Sequence, residues 1–153
     1  MRRPLPHAVV LGAFVLAGCA TPAVEAPTAD VGDCLLLADL AGAPPPGEEG
    51  QVEQIPTVAC DQPHDAEVLL AYELPEGPFP GQDVIDGVVD TQCLPQFRTY
   101  VGVDYEESER FQILTVYPTE DSWSVGDREV LCIVHTSDGV TVTSTFEDAE
   151  RTG

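Results

Sequence analysis

Residues 83–101 read DVIDGVVDTQCLPQFRTYV, and residues 129–136 read EVLCIVHT. In the first stretch Ile85, Val89, Cys93 and Phe97 recur every four residues, flanked by Val84, Val88 and Tyr100. That period predicts a helix. Asp83 and Asp86 fall in its first turn, where they suit the helix dipole, and Pro95 marks a kink or restart. In the second stretch Val130, Cys132 and Val134 fall on one side and Leu131 and Ile133 on the other. A strand that is apolar on both faces is a central strand. Each stretch carries one mid-element cysteine, so the helix is expected to cover the sheet.

Working outward, further strand sequence surrounds this pair. Cys34–Leu40 is a short apolar run, and 41–50 is a loop with three consecutive prolines at 44–46. Val52–Cys60 reads as a second strand, with Pro56 suggesting an edge or bulge. Ala66–Leu74 alternates through Ala66, Val68, Leu70 and Tyr72. Phe111–Tyr117 is another strand, ended by Pro118. Ser137-Asp138-Gly139 predicts a hairpin turn that returns Val140–Phe146 antiparallel to the central strand. The last seven residues are polar and expected to fray. The fold class is α+β: a small antiparallel sheet covered by one helix and held by two disulfides.

The chain contains five cysteines, Cys19, Cys34, Cys60, Cys93 and Cys132. Setting Cys19 aside leaves four, which in an exported chain form a disulfide framework with three connectivities. No CxxC or CxxH pair occurs, which argues against zinc. Antiparallel pairing of the first two strands brings Cys34 opposite Cys60. Cys93 on the helix then faces Cys132 in the sheet. The expected bonds are Cys34–Cys60 and Cys93–Cys132.

The N-terminus gives an address. Arg2 and Arg3 precede Ala8–Ala17, an unbroken stretch of apolar residues and glycine. It is shorter than the roughly 20 residues a spanning helix needs, and has the form of a secretory signal over residues 1–18. It ends Leu16-Ala17-Gly18-Cys19, which resembles the lipobox of bacterial lipoproteins. That resemblance implies cleavage before Cys19 and a diacylglyceryl group on its thiol. Residues 19–30, the cysteine followed by ATPAVEAPTAD, read as a disordered tether. The domain is expected over 31–149, with 150–153 as a tail. The expected location is the extracytoplasmic side of the cell membrane.

Charge excludes several classes. The 153 residues hold 27 Asp+Glu and 6 Lys+Arg, a formal net charge of -21, and every one of the six is arginine. Without residues 1–18, four arginines face 27 acids, or -23 on 135 residues. Nucleic-acid binding depends on cationic side chains and is excluded. The partner that such a field attracts is an envelope protein with a basic surface.

The residues also carry a family resemblance. Val31-Gly32-Asp33-Cys34 is followed by Val58-x-Cys60-x-x-Pro63-His64-Asp65-Ala66-Glu67-Val68. Then come Cys93, Pro118, Trp123, Gly126-Asp127-Arg128, Val130-x-Cys132 and Asp138-Gly139. This resembles the actinobacterial septum formation family of extracytoplasmic domains, many of them lipoproteins or single-pass membrane proteins. Its C-terminal turn usually precedes a Gly-Ser pair, replaced here by Val142-Thr143-Ser144-Thr145.

For chemistry, the Pro63–Glu67 cluster stands out. His64 beside Asp65 and Glu67 has the composition of a base or metal site. The structural reading is favoured: Asp65 capping backbone N–H groups and His64 donating to a carbonyl at a turn. Trp123 is read as packing on the sheet edge or anchoring a partner. Arg128 is read as pairing with Asp127, Glu129 or a more distant acid, or binding an anion. The acidic run 104–109 lacks the glycine-punctuated pattern of a calcium loop and reads as solvated. No catalytic residue, cofactor or metal is expected. The function expected is a non-catalytic, lipid-anchored binding or adaptor domain of the envelope, with solute capture or a small hydrolase as alternatives.

Overall fold

The computed structural model describes residues 26–40 and 52–151. The expected signal segment, Cys19 and the prolines at 44–46 lie outside the described residues. The elements in chain order are β1 (Cys34–Leu35), β2 (Thr57–Val58), β3 (Ala66–Glu73), α1 (Gln82–Val88), α2 (Leu94–Val101), β4 (Phe111–Val116), α3 (Glu120–Ser124) and β5 (Glu129–Thr136). The strands form one antiparallel sheet in the order β2-β1-β3-β5-β4. β5 is flanked by β3 and β4, and Val130 through Val134 are buried on both faces.

The predicted helix runs from Gln82 to Val101 without a break. Val89–Cys93 forms a single π turn between α1 and α2, with the Leu94 N–H reaching Val89 O five residues back. Pro95 follows directly, and its missing N–H is absorbed where the ladder is already shifted. Gly102 ends α2 at φ 103°, with its N–H on Arg98 O at 3.1 Å. A Cβ there would meet Arg151 backbone atoms at 2.8–2.9 Å, so this glycine serves a left-handed cap and a close approach together.

Both disulfides form as expected. Cys93–Cys132 ties the helix to the central strand, with Cα atoms 5.8 Å apart. Cys34–Cys60 closes at a Cα separation of 5.3 Å. The local geometry around Cys34 differs from the long hairpin expected. β1 and β2 are two residues each, and Cys34 lies opposite Val58. Leu37–Asp39 turns into a 3-10 helix instead of continuing the strand.

Four other expectations fail for definite reasons. The alternation through β3 is broken by a bulge between Val68 and Leu70. Ala66 and Val68 face a cluster with Leu35, Leu40, Ile55, Leu131 and Ile133. Leu69 and Leu70 both pack toward the helix, with Phe97, Phe111 and Cys132. The extra residue reverses the face of all that follows. The segment after Gly139 does not return along β5, because both edges of β5 are taken. Val142 bridges to His64 instead. The expected fraying is also absent up to Arg151: Asp148 N–H bonds Tyr100 O at 2.7 Å and Glu150 N–H bonds Val101 O at 3.0 Å. At the other end, Ala29 packs on the core, so the folded body begins before Val31. The helix α3 was not expected from sequence; Thr119 caps it, with Ser122 completing a capping box.

Candidate functional site

The Pro63–Glu67 stretch leads into β3, and there the chain places a histidine and a glutamate in the interior. His64 and Glu67 are both 0% exposed. His64 Nδ1 lies 2.9 Å from Gln62 O, and a carbonyl only accepts, so Nδ1 carries a hydrogen. Nε2 lies 3.0 Å from Glu67 Oε1. The same Oε1 accepts from Phe146 N–H at 2.8 Å, and Oε2 accepts from Tyr100 O–H at 2.5 Å. The network is complete when the ring donates at both nitrogens and the carboxylate accepts from three donors. Around it, His64 and Val142 exchange backbone bonds of 2.9 and 2.8 Å. The Phe146 ring stacks obliquely on His64 and on Phe111, at centroid distances of 5.5 and 4.7 Å.

Asp65 points the other way. Its Oδ1 accepts from Leu37 N–H at 2.8 Å, fastening the 3-10 turn after β1. Asp65 precedes the strand and is not in this network. Cys34 Sγ does lie near: one ligand atom each from Cys34, His64 and Glu67 fall within 4.8 Å of one another. Cys34 is spent in a disulfide, and both nitrogens of His64 and both oxygens of Glu67 are engaged. A metal would have to open that disulfide and displace hydrogen-bond partners from both His64 and Glu67.

Tyr100 registers the network in its titration. Burial, and then the hydrogen bond to Glu67, push its phenol up to about 12. A raised pKa means the folded state holds the proton more tightly than the unfolded chain does. The associated stability is therefore complete below about pH 10 and lost as pH rises from 10 through 12. Partial exposure discounts it to on the order of 1 kcal/mol. Urea midpoints from pH 9 to 12 should fall more for wild type than for Tyr100→Phe; parallel curves would show that the phenol contributes nothing.

Trp123 and Arg128 form a second buried unit. Trp123 is 7% exposed, and its Nε1–H donates to Gly77 O at 3.0 Å. Phe79 meets its ring edge-on at 5.8 Å, and the Arg128 guanidinium lies 3.8 Å from the ring centroid. Arg128 also donates to Trp123 O and Asp127 O, at 2.8 and 2.6 Å. Its carboxylate partner is Glu76 at 3.3 Å, not the side chain of Asp127 or Glu129. The tryptophan is therefore a packing residue under a cation–π lid and offers no exposed anchor. Glu129, the other residue suggested for Arg128, has its carboxyl pushed up by burial and then by Asp127.

The acidic run 104–109 is partly used inside the fold. Asp104 pairs with Arg98 at 3.2 Å, and Tyr105–Glu107 is a 3-10 turn. An open groove of about 320 Å³ lies beside it, lined by Asp90, Leu94, Pro95, Arg98, Asp104, Tyr105 and Glu106. Both members of the ion pair line it. Among the described residues no helix is long and apolar enough to cross a membrane.

An uncharacterized membrane protein of Mycobacterium tuberculosis, found in two strains, is 26% identical over 113 residues. The match covers 66% of this chain but 22% of that protein, so the chain spans about a fifth of the relative's length. No solved structure matches the chain. The septum formation family model matches residues 32–152, from the glycine before Asp33-Cys34 past the docked C-terminal segment, and the chain belongs to that family.

Proposed function

We propose that this protein is a lipid-anchored extracytoplasmic domain that binds another envelope protein and performs no catalysis. One observation carries the reading: the residues with catalytic composition are consumed by the fold. His64 and Glu67 are sealed and fully hydrogen-bonded. The four domain cysteines are two disulfides. A general base needs an accessible lone pair within reach of substrate, and His64 has none. What remains outside is charge, a formal -21 over the whole chain. Such a surface accelerates encounters with cationic partners and repels anionic lipid head groups. The Leu16-Ala17-Gly18-Cys19 ending supports anchoring at Cys19.

Two measurements test this. Cys19→Ala should release the protein from the membrane fraction or leave it unprocessed; a wild-type chain that is itself soluble defeats the anchor. Crosslinking of a tagged chain during growth, read together with its position in the cell, should capture a defined envelope protein. Capture of none defeats the binding role.

A further inference from the structure

The outer edge of β4 lies in an uncharged stretch of the chain. Between Phe111 and Pro118 the sequence FQILTVY contains no charge, in a chain of net charge -21. Edge strands are ordinarily blunted by charge, proline or a bulge. β4 pairs with β5 in unbroken register over six residues. Ser137 N–H donates to Arg110 O at 2.7 Å. Antiparallel alternation then turns the backbone of Gln112, Leu114 and Val116 toward β5, and that of Phe111, Ile113 and Thr115 outward. Phe111 N–H is taken by Ser108 Oγ at 3.1 Å. Among the described residues, nothing pairs with the N–H or C=O of Ile113 or Thr115. The open groups are therefore those of Ile113 and Thr115, beyond the Ser108 cap.

Charge brackets this edge. Glu106, Glu107 and Glu109 precede it and Glu120 and Asp121 follow it, all exposed. Arg110, the one cation between them, reaches toward Ala149 O at 3.4 Å and lies over the Phe111 ring at 5.0 Å. We infer that the β4 edge is a strand-addition site for an extended segment of a partner protein, with a β-branched or apolar centre and basic residues at both ends. Main-chain bonds to Ile113 and Thr115 supply the docking, and the acids at either end select the cationic termini. A second copy of this chain is the wrong occupant, because it would bring the same acidic brackets against these. This inference rests on the binding role proposed above and assigns it a surface.

The test uses the full-length protein in detergent and a synthetic nine-residue peptide, acetyl-Lys-Arg-Val-Thr-Val-Thr-Val-Arg-Lys-amide. Hydrogen exchange should slow about tenfold or more at the Ile113 and Thr115 amides when the peptide binds. The same core ending in glutamates should not bind. Affinity should fall as ionic strength rises from about 10 to 150 mM, where the Debye length shrinks from roughly 30 to 8 Å. Thr115→Pro removes one outward N–H without touching the β5 ladder, and should weaken binding about tenfold. If that variant does not fold, Glu109→Gln with Glu120→Gln, both exposed, should weaken binding and flatten its salt dependence. Protection mapping elsewhere overturns the proposal. So do Ile113 and Thr115 amides already protected without peptide, which would mean that this chain or a second copy covers the edge. In cells, an envelope protein crosslinked equally by wild type and Thr115→Pro rejects the edge but keeps the binding role. Wild type that crosslinks nothing rejects the role itself.

Discussion

Glu67→Ala should be the most damaging single substitution in the domain, lowering stability by about 3–5 kcal/mol. The carboxylate is the common acceptor of three donors from three parts of the chain: His64 beside it, Tyr100 near the end of α2 and Phe146 in the C-terminal segment. Truncation strands a fully buried imidazole and a buried backbone N–H, and opens a cavity in the same place. Each orphaned buried group costs about 1–3 kcal/mol. The C-terminal segment should loosen first, because Phe146 N–H and the His64–Val142 bridge fasten it. Glu67→Gln keeps the volume and part of the bonding and should cost less. Replacing His64 and Glu67 together by leucine should recover part of the single-mutant loss, since no lone buried partner remains. Urea denaturation with disulfides intact measures all three. A Glu67→Ala loss below about 1 kcal/mol would show that the network is relaxed by entering water and does not secure the segment.

Loss of the Cys93–Cys132 bond should be nearly as costly. It closes 39 residues of sequence, for which the chain-entropy estimate is about 4 kcal/mol. The Cys34–Cys60 bond closes 26, for which the same estimate is roughly 3.5 kcal/mol. The larger difference between them is location. Cys93 and Cys132 lie in the cluster of Leu69, Phe97, Val101, Phe111, Val134 and Phe146, and both are 0% exposed. Cys34–Cys60 secures the layer of Leu35, Leu40 and Ile55 on the opposite face. Cys93→Ala with Cys132→Ala should therefore lower the whole unfolding transition. Cys34→Ala with Cys60→Ala should also release the N-terminal layer locally, seen as faster exchange at Leu35 and Leu40 amides. Equal, uniform shifts from both pairs would reject this division, as would a loss below about 1 kcal/mol for the core bond.

Much of this architecture was legible in residue patterns, because those patterns are set by local chemistry. The two-sided apolar run Val130–Val134 announces a strand covered on both faces, and β5 is that strand. The four-residue recurrence from Ile85 to Phe97 announces a helix, and the two mid-element cysteines announce its seat. Cysteines offer few pairings, so a coarse map of elements sufficed to choose between them.

What the pattern could not show depends on which segment reaches an empty place first. The Val–Thr alternation after Gly139 is genuine strand sequence, but β3 and β4 already occupy both edges of β5, so the segment takes a single bridge to His64. One extra residue at Leu69 reverses the faces of β3, and nothing local distinguishes a bulge from continued alternation in AEVLLAYE. His64 and Glu67 look like surface chemistry in a list of residues. Three donors spread from His64 to Phe146 converge on that carboxylate only after the sheet, helix and C-terminal segment have packed. Trp123 likewise reads either as packing or as an anchor, and Gly77, Phe79 and Arg128 decide for packing by enclosing it. Periodicity is written residue by residue and can be read without the fold. Enclosure and hydrogen-bond partnership are properties of distant segments in contact, and only the tertiary structure decides them.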